Sequence, residues 1–151
     1  MGLQTGAGSA IAISAAAPAT MDAAGYAALT YTEGGQCEKI GTIGSTFTKT
    51  EFQPLKGPKD KLKGSADYGA LQPSFALDEE DVGQMLFRSA ADDETNKLFS
   101  IRVTMQSGAL RYFRSRVFGW PETVDGADPI VMATPTVEVC SKVVRVAAPA
   151  S

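Results

Sequence analysis

The sequence contains no histidine. Histidine is the commonest general base and a frequent metal ligand, so its absence excludes a Ser-His-Asp triad, a Cys-His pair and every histidine-based zinc site. Two acidic clusters, at residues 78–81 and 92–94, are more typical of a helix N-terminus and a solvated turn than of a cation site. We therefore predict no catalytic residue, no metal site and no cofactor.

Cysteine is almost as scarce, with only Cys37 and Cys140 in the chain and no CxxC spacing. Two distant thiols cannot build a zinc cluster, and they are too few for a disulfide framework. The favoured interpretation is two free thiols in a reducing compartment, and a Cys37–Cys140 disulfide is the alternative.

Positive charge is limited, because 14 basic residues face 17 acidic ones and the net charge is -3. This balance argues against a protein that coats duplex DNA or binds an anionic membrane surface. No basic residue precedes Lys39, as the start of a signal peptide would require, and the apolar stretch 10–17 is too short to span a membrane. We expect an unprocessed cytoplasmic chain that contacts no membrane.

The 151 residues include 44% hydrophobic residues, which is enough for one globular domain over residues 1–151. Two helices are predicted. The first covers residues 21–28 with Thr20 as its N-cap, and it is either interrupted or ended near Gly25. The second covers residues 79–90, is capped by Asp78, and carries an apolar stripe of Val82, Met85 and Leu86.

Alternating hydrophobicity predicts strands through most of the remaining chain. The clearest signal is residues 99–105, followed by a hairpin partner at residues 110–120 with a bulge at Tyr112–Phe113. Further strands are predicted at residues 10–14, 31–33, 37–43, 47–52, 66–77 and 130–146, with turns or breaks at Gly34–Gly35, Pro73 and Pro135. The predicted fold is α+β and mainly β, an antiparallel β-sandwich or barrel with one or two short helices.

Three segments lack a pattern that would bury them. Residues 1–9 predict a flexible N-terminal arm and residues 147–151 a flexible tail. Residues 54–64 predict a long basic loop or hairpin tip, with lysines at positions 56, 59, 61 and 63 (Lys56, Lys59, Lys61 and Lys63). Either this loop is a solvated surface feature, or it reaches a partner.

One strand mixes basic and aromatic residues, with Arg111, Arg114 and Arg116 beside Tyr112 and Phe113. Such mixing is compatible with a small module that binds single-stranded nucleic acid. The alternatives are a solvated strand face, or ion pairs with the acids of a neighbouring subunit.

The most distinctive segment of the sequence is PATMDAAGYAALTY at residues 18–31, which is followed by CEKIG at residues 37–41. Together with residues 63–69, 77–78 and 81–84, it resembles the major tail tube proteins of bacteriophages with long, flexible, non-contractile tails. The similarity extends over most of the chain and includes no catalytic motif.

The resemblance implies a structural virion protein located in the tail and assembled in the host cytoplasm. It implies a β-sandwich that closes into a hexameric ring, and rings that stack into a hollow tube through which DNA passes without specific binding. The implied partners are further copies of the chain and other tail proteins, namely an initiator or tail tip, a terminator and a tape measure. A subunit of a single terminator or distal-tail ring is the alternative within this class.

A ring subunit needs surfaces that only assembly covers. The contact candidates are the apolar residues of the arm and first strand, the lysine loop, the stripe of the second helix and the arginine strand: Leu3, Ile11, Ile13, Lys56, Lys59, Lys61, Lys63, Val82, Met85, Leu86, Arg111, Arg114 and Arg116. We expect the lumen of such a tube to be acidic, because negative charge would repel the phosphates of passing DNA.

Overall fold

The computed structural model describes residues 3–148, which contain two helices and thirteen strands. The helices are α1 (Ala23–Ala27) and α2 (Val82–Asp92). The strands are β1 (Ala10–Ser14), β2 (Thr32–Glu33), β3 (Cys37–Lys39), β4 (Thr46–Phe52), β5 (Asp60–Asp67), β6 (Ala70–Leu71), β7 (Ser74–Ala76), β8 (Phe99–Thr104), β9 (Leu110–Val117), β10 (Glu122–Thr123), β11 (Met132–Ala133), β12 (Val137–Val139) and β13 (Val144–Val146).

The strands form three antiparallel sheets. The main sheet has the order β2-β1-β8-β9-β12-β6, with β13 also paired to β9, and a four-stranded sheet has the order β10-β11-β7-β3. The third sheet is the hairpin of β4 and β5. The main sheet packs its apolar face against α2 and the four-stranded sheet, so the predicted mainly-β α+β sandwich is confirmed.

The hydrophobic core is centred on β8, in which apolar residues alternate with polar ones as the sequence predicts. Ile101 and Val103 are buried, and their direct neighbours across β1 are Ile13 and Ile11. On the other side, Ile101 is paired with Phe113 of β9. Phe75 of β7 and Phe87 of α2 close the core from the opposite layer, with ring centroids 5.4 Å apart.

The predicted bulge at Tyr112–Phe113 is wrong, because β8 and β9 pair in continuous register from Phe99↔Ser115 to Thr104↔Leu110. Tyr112 and Phe113 break the period-2 pattern for a different reason. Phe113 faces the core, whereas Tyr112 lies on the opposite face and stacks on Tyr26 of α1 at 5.3 Å. Both faces of this strand are therefore covered, and both residues are apolar.

Two long predicted strands are divided because the chain changes sheets. Residues 66–77 form the end of β5, then β6 in the main sheet and β7 in the four-stranded sheet, with the buried Pro73 between the last two. Residues 130–146 form β11, β12 and β13, and the buried Pro135 lies where the chain returns to the main sheet. Proline lacks a backbone donor for the ladder, so both prolines are at positions where pairing stops.

Helix α1 begins later than predicted, and its N-cap is Asp22 instead of Thr20. The Asp22 carboxylate accepts a hydrogen bond from the Gly25 backbone N–H at 2.8 Å and one from the Thr20 hydroxyl at 2.7 Å. These two bonds lower the pKa of Asp22. Gly25 lies inside the helix and does not end it. The glycine is needed there for close packing, because a Cβ at this position would overlap the Thr20 carbonyl oxygen.

Helix α2 also differs from the prediction at its start and on its buried face. Asp81 is its N-cap, so Asp78 precedes the helix and instead accepts a hydrogen bond from the Glu80 backbone N–H. Its buried face carries Gly83, Gln84, Phe87 and Ala90, and Val82 is 70% exposed. The glycine decides this rotation, because a Cβ at position 83 would overlap the Glu33 carbonyl oxygen.

Gln84 is fully buried and joins three segments through its amide. Its Oε1 accepts from the Asp78 backbone N–H at 3.0 Å, and its Nε2 donates to the carbonyls of Gly35 and Ala76, both at 2.9 Å. Asp81 adds a further bond to the same turn, because its carboxylate accepts from the Gly35 N–H at 2.9 Å. The turn between β2 and β3 is thereby fixed to the first turn of α2.

We predict that Gln84→Ala lowers the free energy of unfolding by about 3 kcal/mol, because three partly buried backbone groups lose their partner in the buried Gln84 amide. Urea denaturation followed by circular dichroism measures this loss. Ser89→Ala, at an exposed position of the same helix, is the matched control, and its expected effect is within about 0.5 kcal/mol. Equal stability of the two variants would contradict a locking role for Gln84.

Candidate assembly surface

The β4–β5 hairpin is the most exposed regular element, since every residue of both strands is exposed. Phe52 and Leu62 keep about 60% of their surface in solvent. The predicted basic loop at residues 54–64 is therefore the tip and second strand of this hairpin, and Lys61 and Lys63 belong to β5. An isolated two-stranded hairpin is marginally stable, so a partner that covers it would stabilise it.

The two faces of the hairpin differ in charge. The lysine face carries Phe47 and a group of four lysines around the single acid Glu51: Lys49, Lys59, Lys61 and Lys63. The Glu51 carboxylate lies 2.9 Å from the ammonium of Lys49 and 3.4 Å from that of Lys59. The ammonium of Lys63 lies 5.0 Å from the centre of the Phe47 ring. The opposite face is uncharged along most of its length, with Thr48, Thr50, Phe52 and Leu62.

The described part of the N-terminal arm contacts the turn between β8 and β9. The Gln4 side chain accepts a hydrogen bond from the Ser107 N–H at 2.9 Å, and the Thr5 N–H donates to the Gln106 side chain at 3.3 Å. Residues 4 and 5 are therefore tied to the body, whereas Leu3 is exposed. Residues 1–2 of the predicted arm and 149–151 of the predicted tail lie outside the described residues.

Two of the predicted contact residues are wrong, because Ile11 and Ile13 are fully buried in the core of the chain itself. Their period-2 pattern reflects the sandwich interior and not an interface. The stripe of α2 is divided: Val82 is exposed, while Met85 and Leu86 are half-buried, and Leu86 packs against the core. The lysines at 56, 59, 61 and 63 are all exposed.

The three arginines of β9 do not form one basic stripe. Arg111 is paired with Val103 on the core-facing side, whereas Arg114 is paired with Ser100 and Arg116 with Glu138 on the other side. The Arg114 guanidinium donates to the Leu98 carbonyl at 2.6 Å, and the Arg116 Nε donates to the Asn96 carbonyl at 2.9 Å. Both side chains hold the segment between α2 and β8, which leaves less of each guanidinium for nucleic acid.

A tyrosine cluster covers the same face of the main sheet. Tyr31 donates a hydrogen bond to the Tyr26 carbonyl at 3.1 Å, and the Arg102 guanidinium lies 4.9 Å from the centre of the Tyr31 ring. Burial raises the pKa of Tyr31, so its hydroxyl remains a donor at every physiological pH. The cluster attaches α1 to the sheet.

We predict that Arg114→Ala destabilises the fold by about 1–3 kcal/mol, because the Leu98 carbonyl loses its charged donor. Thermal unfolding measures the change, with Arg145→Ala at an exposed position as the control. If Arg114→Ala left stability unchanged while abolishing salt-sensitive binding of a single-stranded oligonucleotide, the structural role would be wrong.

A cleft of about 500 Å³ lies between residues 6–9 of the arm, residues 37–41 and the end of β8. Cys37 lines it, and both Cys37 and Cys140 are free thiols. The Cys37 side chain is half-buried, and this burial raises the pKa of its thiol. The thiol therefore stays protonated to a higher pH than a solvated cysteine.

We predict that Cys37, measured alone in a Cys140→Ser variant, reacts more slowly with a thiol-specific disulfide reagent at pH 8 than the same chain does in urea. Thiolate is the reactive species, and the raised pKa reduces its fraction in the folded state. Equal rates in the two states would mean that the cleft does not shield the thiol.

No helix among residues 3–148 is long and apolar enough to cross a membrane.

No protein-family model and no curated protein sequence matches the chain significantly. Solved structures do match its fold. A chain of the anti-feeding prophage baseplate, symmetrised six-fold, aligns with a TM-score of 0.67 at 7% identity, covering 91% of each chain.

Two further similar structures belong to an extracellular contractile injection system. A chain of its sheath/tube terminator aligns with a TM-score of 0.63 at 8% identity, over 91% of this chain and 93% of that one. A chain of its sheath-tube complex aligns with a TM-score of 0.64 at 8% identity, over 92% and 88%. The protein therefore shares its fold, over nearly its whole length, with chains of this baseplate and of this contractile injection system.

Proposed function

We propose that this protein is a structural tail subunit that assembles into hexameric rings, and that the rings stack into a hollow tube for the passage of DNA. One observation carries the proposal: the chain has the fold of tail-like assemblies and leaves a complete hairpin, with exposed Phe47, Phe52 and Leu62, uncovered by its own body. The choice of a non-contractile phage tail rests on the resemblance at residues 18–31, since the structural neighbours come from contractile systems.

The charge distribution supports a role as a conduit. The hairpin segment 46–67 carries five lysines and three acids, whereas the rest of the chain carries nine basic residues and 14 acids. A ring whose body is acidic would repel DNA phosphates and allow the strand to slide. In this proposal the partners are other copies of the chain and the initiator, terminator and tape-measure proteins of the tail.

A single-ring terminator is the second candidate, and the likeness to a chain of a sheath/tube terminator favours it. Negative-stain electron microscopy of the concentrated protein, with light scattering on the fresh sample, separates the two. Hollow tubes of uniform width support the tube subunit. Closed rings that do not stack at any concentration support the terminator.

We predict that excision of residues 46–67 abolishes tube formation and leaves the folded body intact. Thr46 pairs with Asp67, so Ser45 and Tyr68 lie close together and a Gly-Gly link closes the chain without strain. Every residue of β4 and β5 is exposed and none of residues 46–67 belongs to the buried core, so the core keeps its contacts.

Electron microscopy and circular dichroism on the same preparation check both parts of this expectation. Tubes of normal width from the shortened chain would show that the hairpin is not an assembly contact. A shortened chain that fails to fold would be replaced by Phe52→Ser with Leu62→Ser, which alters the exposed apolar surface of the hairpin alone.

A further inference from the structure

A second surface of the chain complements the lysine face of the hairpin. Residues 121–130 are exposed without interruption, and they carry three acids (Glu122, Asp125 and Asp128) and no basic residue. Val124 and Ile130 in this segment are exposed by 74% and 70%. Strand β10 lies here, at the edge of the four-stranded sheet. We call residues 121–130 the acidic edge.

The acids of this edge have no partner within the described part of the chain. The ion pairs among residues 3–148 are Lys49–Glu51, Lys59–Glu51 and Arg88–Asp92, and no side-chain hydrogen bond there includes an acid of the edge. Two acids elsewhere are engaged within the chain, since Asp81 caps α2 and Asp93 accepts hydrogen bonds from Thr95. The acidic edge therefore combines unpaired carboxylates, two exposed apolar side chains and the edge of a sheet in one segment.

The lysine face has the matching properties. Four lysines surround one carboxylate, so most of its positive charge is not neutralised by its own chain. Phe47, half exposed, lies among the lysines. A contact between the two surfaces would pair lysines with carboxylates and cover Phe47, Val124 and Ile130. Opposite charges at such a contact select the partner and exclude the like-charged alternative, in which two hairpins meet.

We propose that the lysine face of the β4–β5 hairpin docks on the acidic edge of a second copy of this chain, and that this charge pairing sets which copies join. The inference rests on the proposed function, because it assigns the two halves of one contact between subunits. Since the groups are exposed before assembly, the pairing is screened by salt, and high ionic strength weakens assembly.

Charge reversal tests the pairing. Lys61→Glu with Lys63→Glu places acids against acids, and we expect the protein concentration at which assembly begins to rise by at least about tenfold. Glu122→Lys with Asp125→Lys should have the same effect. A chain that carries all four substitutions regains complementary charges and assembles near the wild-type concentration. The matched control is Lys142→Glu with Arg145→Glu, an equal change in net charge at exposed positions outside the hairpin.

Carbodiimide coupling provides a second readout on the unaltered chain, because it joins an ammonium to a carboxylate only where they touch. In assemblies of mixed ¹⁵N-labelled and unlabelled protein, we expect mass spectrometry to find hairpin lysines of one copy joined to acids of residues 122–128 of another copy. Such a coupled pair contains one labelled and one unlabelled peptide. The inference is overturned if the Lys61→Glu, Lys63→Glu variant assembles at the wild-type concentration. It is also overturned if adding Glu79→Lys with Glu80→Lys, instead of the substitutions at 122 and 125, restores assembly of that variant, or if the coupled peptides contain acids outside residues 122–128. A wild-type chain that stays monomeric overturns the proposed function as well.

Discussion

The turn at Gly34–Gly35 carries the chain from the main sheet to the four-stranded sheet, and its polar groups are satisfied by the first turn of α2. Gln84 and Asp81 supply three hydrogen bonds to this turn and to the end of β7 besides the helix cap. Gly83 allows the helix to approach the strand closely enough for these bonds to form. The position of one layer relative to the other, and with it the packing of Phe87 on Phe75, depends on this polar contact in the centre of the domain.

The run at residues 18–31 that carries the resemblance has a structural explanation. Asp22 caps α1, Gly25 permits its close approach to Thr20, and Tyr26 stacks on Tyr112 of the main sheet. Tyr31 then closes the cluster through its bond to the Tyr26 carbonyl. These roles constrain each residue type, which explains why so short a helix has so distinctive a sequence. Residues 18–31 therefore cover the face of the main sheet that lies opposite the core, and their distinctive residues have packing roles.

The sequence predicts the fold best where apolar and polar residues alternate along a strand, because one face then enters the apolar core and the other carries polar groups. In β8 the alternation of Ile101 and Val103 with polar residues gives the correct strand and its hairpin partner. The pattern fails in β9, because Tyr112 and Phe113 are buried on opposite faces, and at Pro73 and Pro135, where one apolar run supplies strands to two sheets. The stripe of α2 was predicted one position away from its true face, since only the three-dimensional contact at Gly83 determines the rotation of the helix. For residues 54–64, composition predicts the exposed lysines and a loop or hairpin tip, but the strand pairing that places four lysines on one face is visible only in the structure.

An exposed hairpin with apolar side chains creates a risk for the free subunit, because unpaired strands associate with any other strand edge. Lysines on such a strand oppose that association, since two hairpins that approach each other bring like charges together. The same charge becomes favourable only where the partner surface is acidic. If two copies join as proposed, the same lysines both oppose random association and specify the partner, so exposed apolar area at Phe47 and the acidic edge drives the contact without promoting disordered aggregation. Such a contact needs charge that is segregated on the surface, and the sequence has it: residues 46–67 carry five lysines and three acids, and the rest of the chain carries nine basic residues and 14 acids.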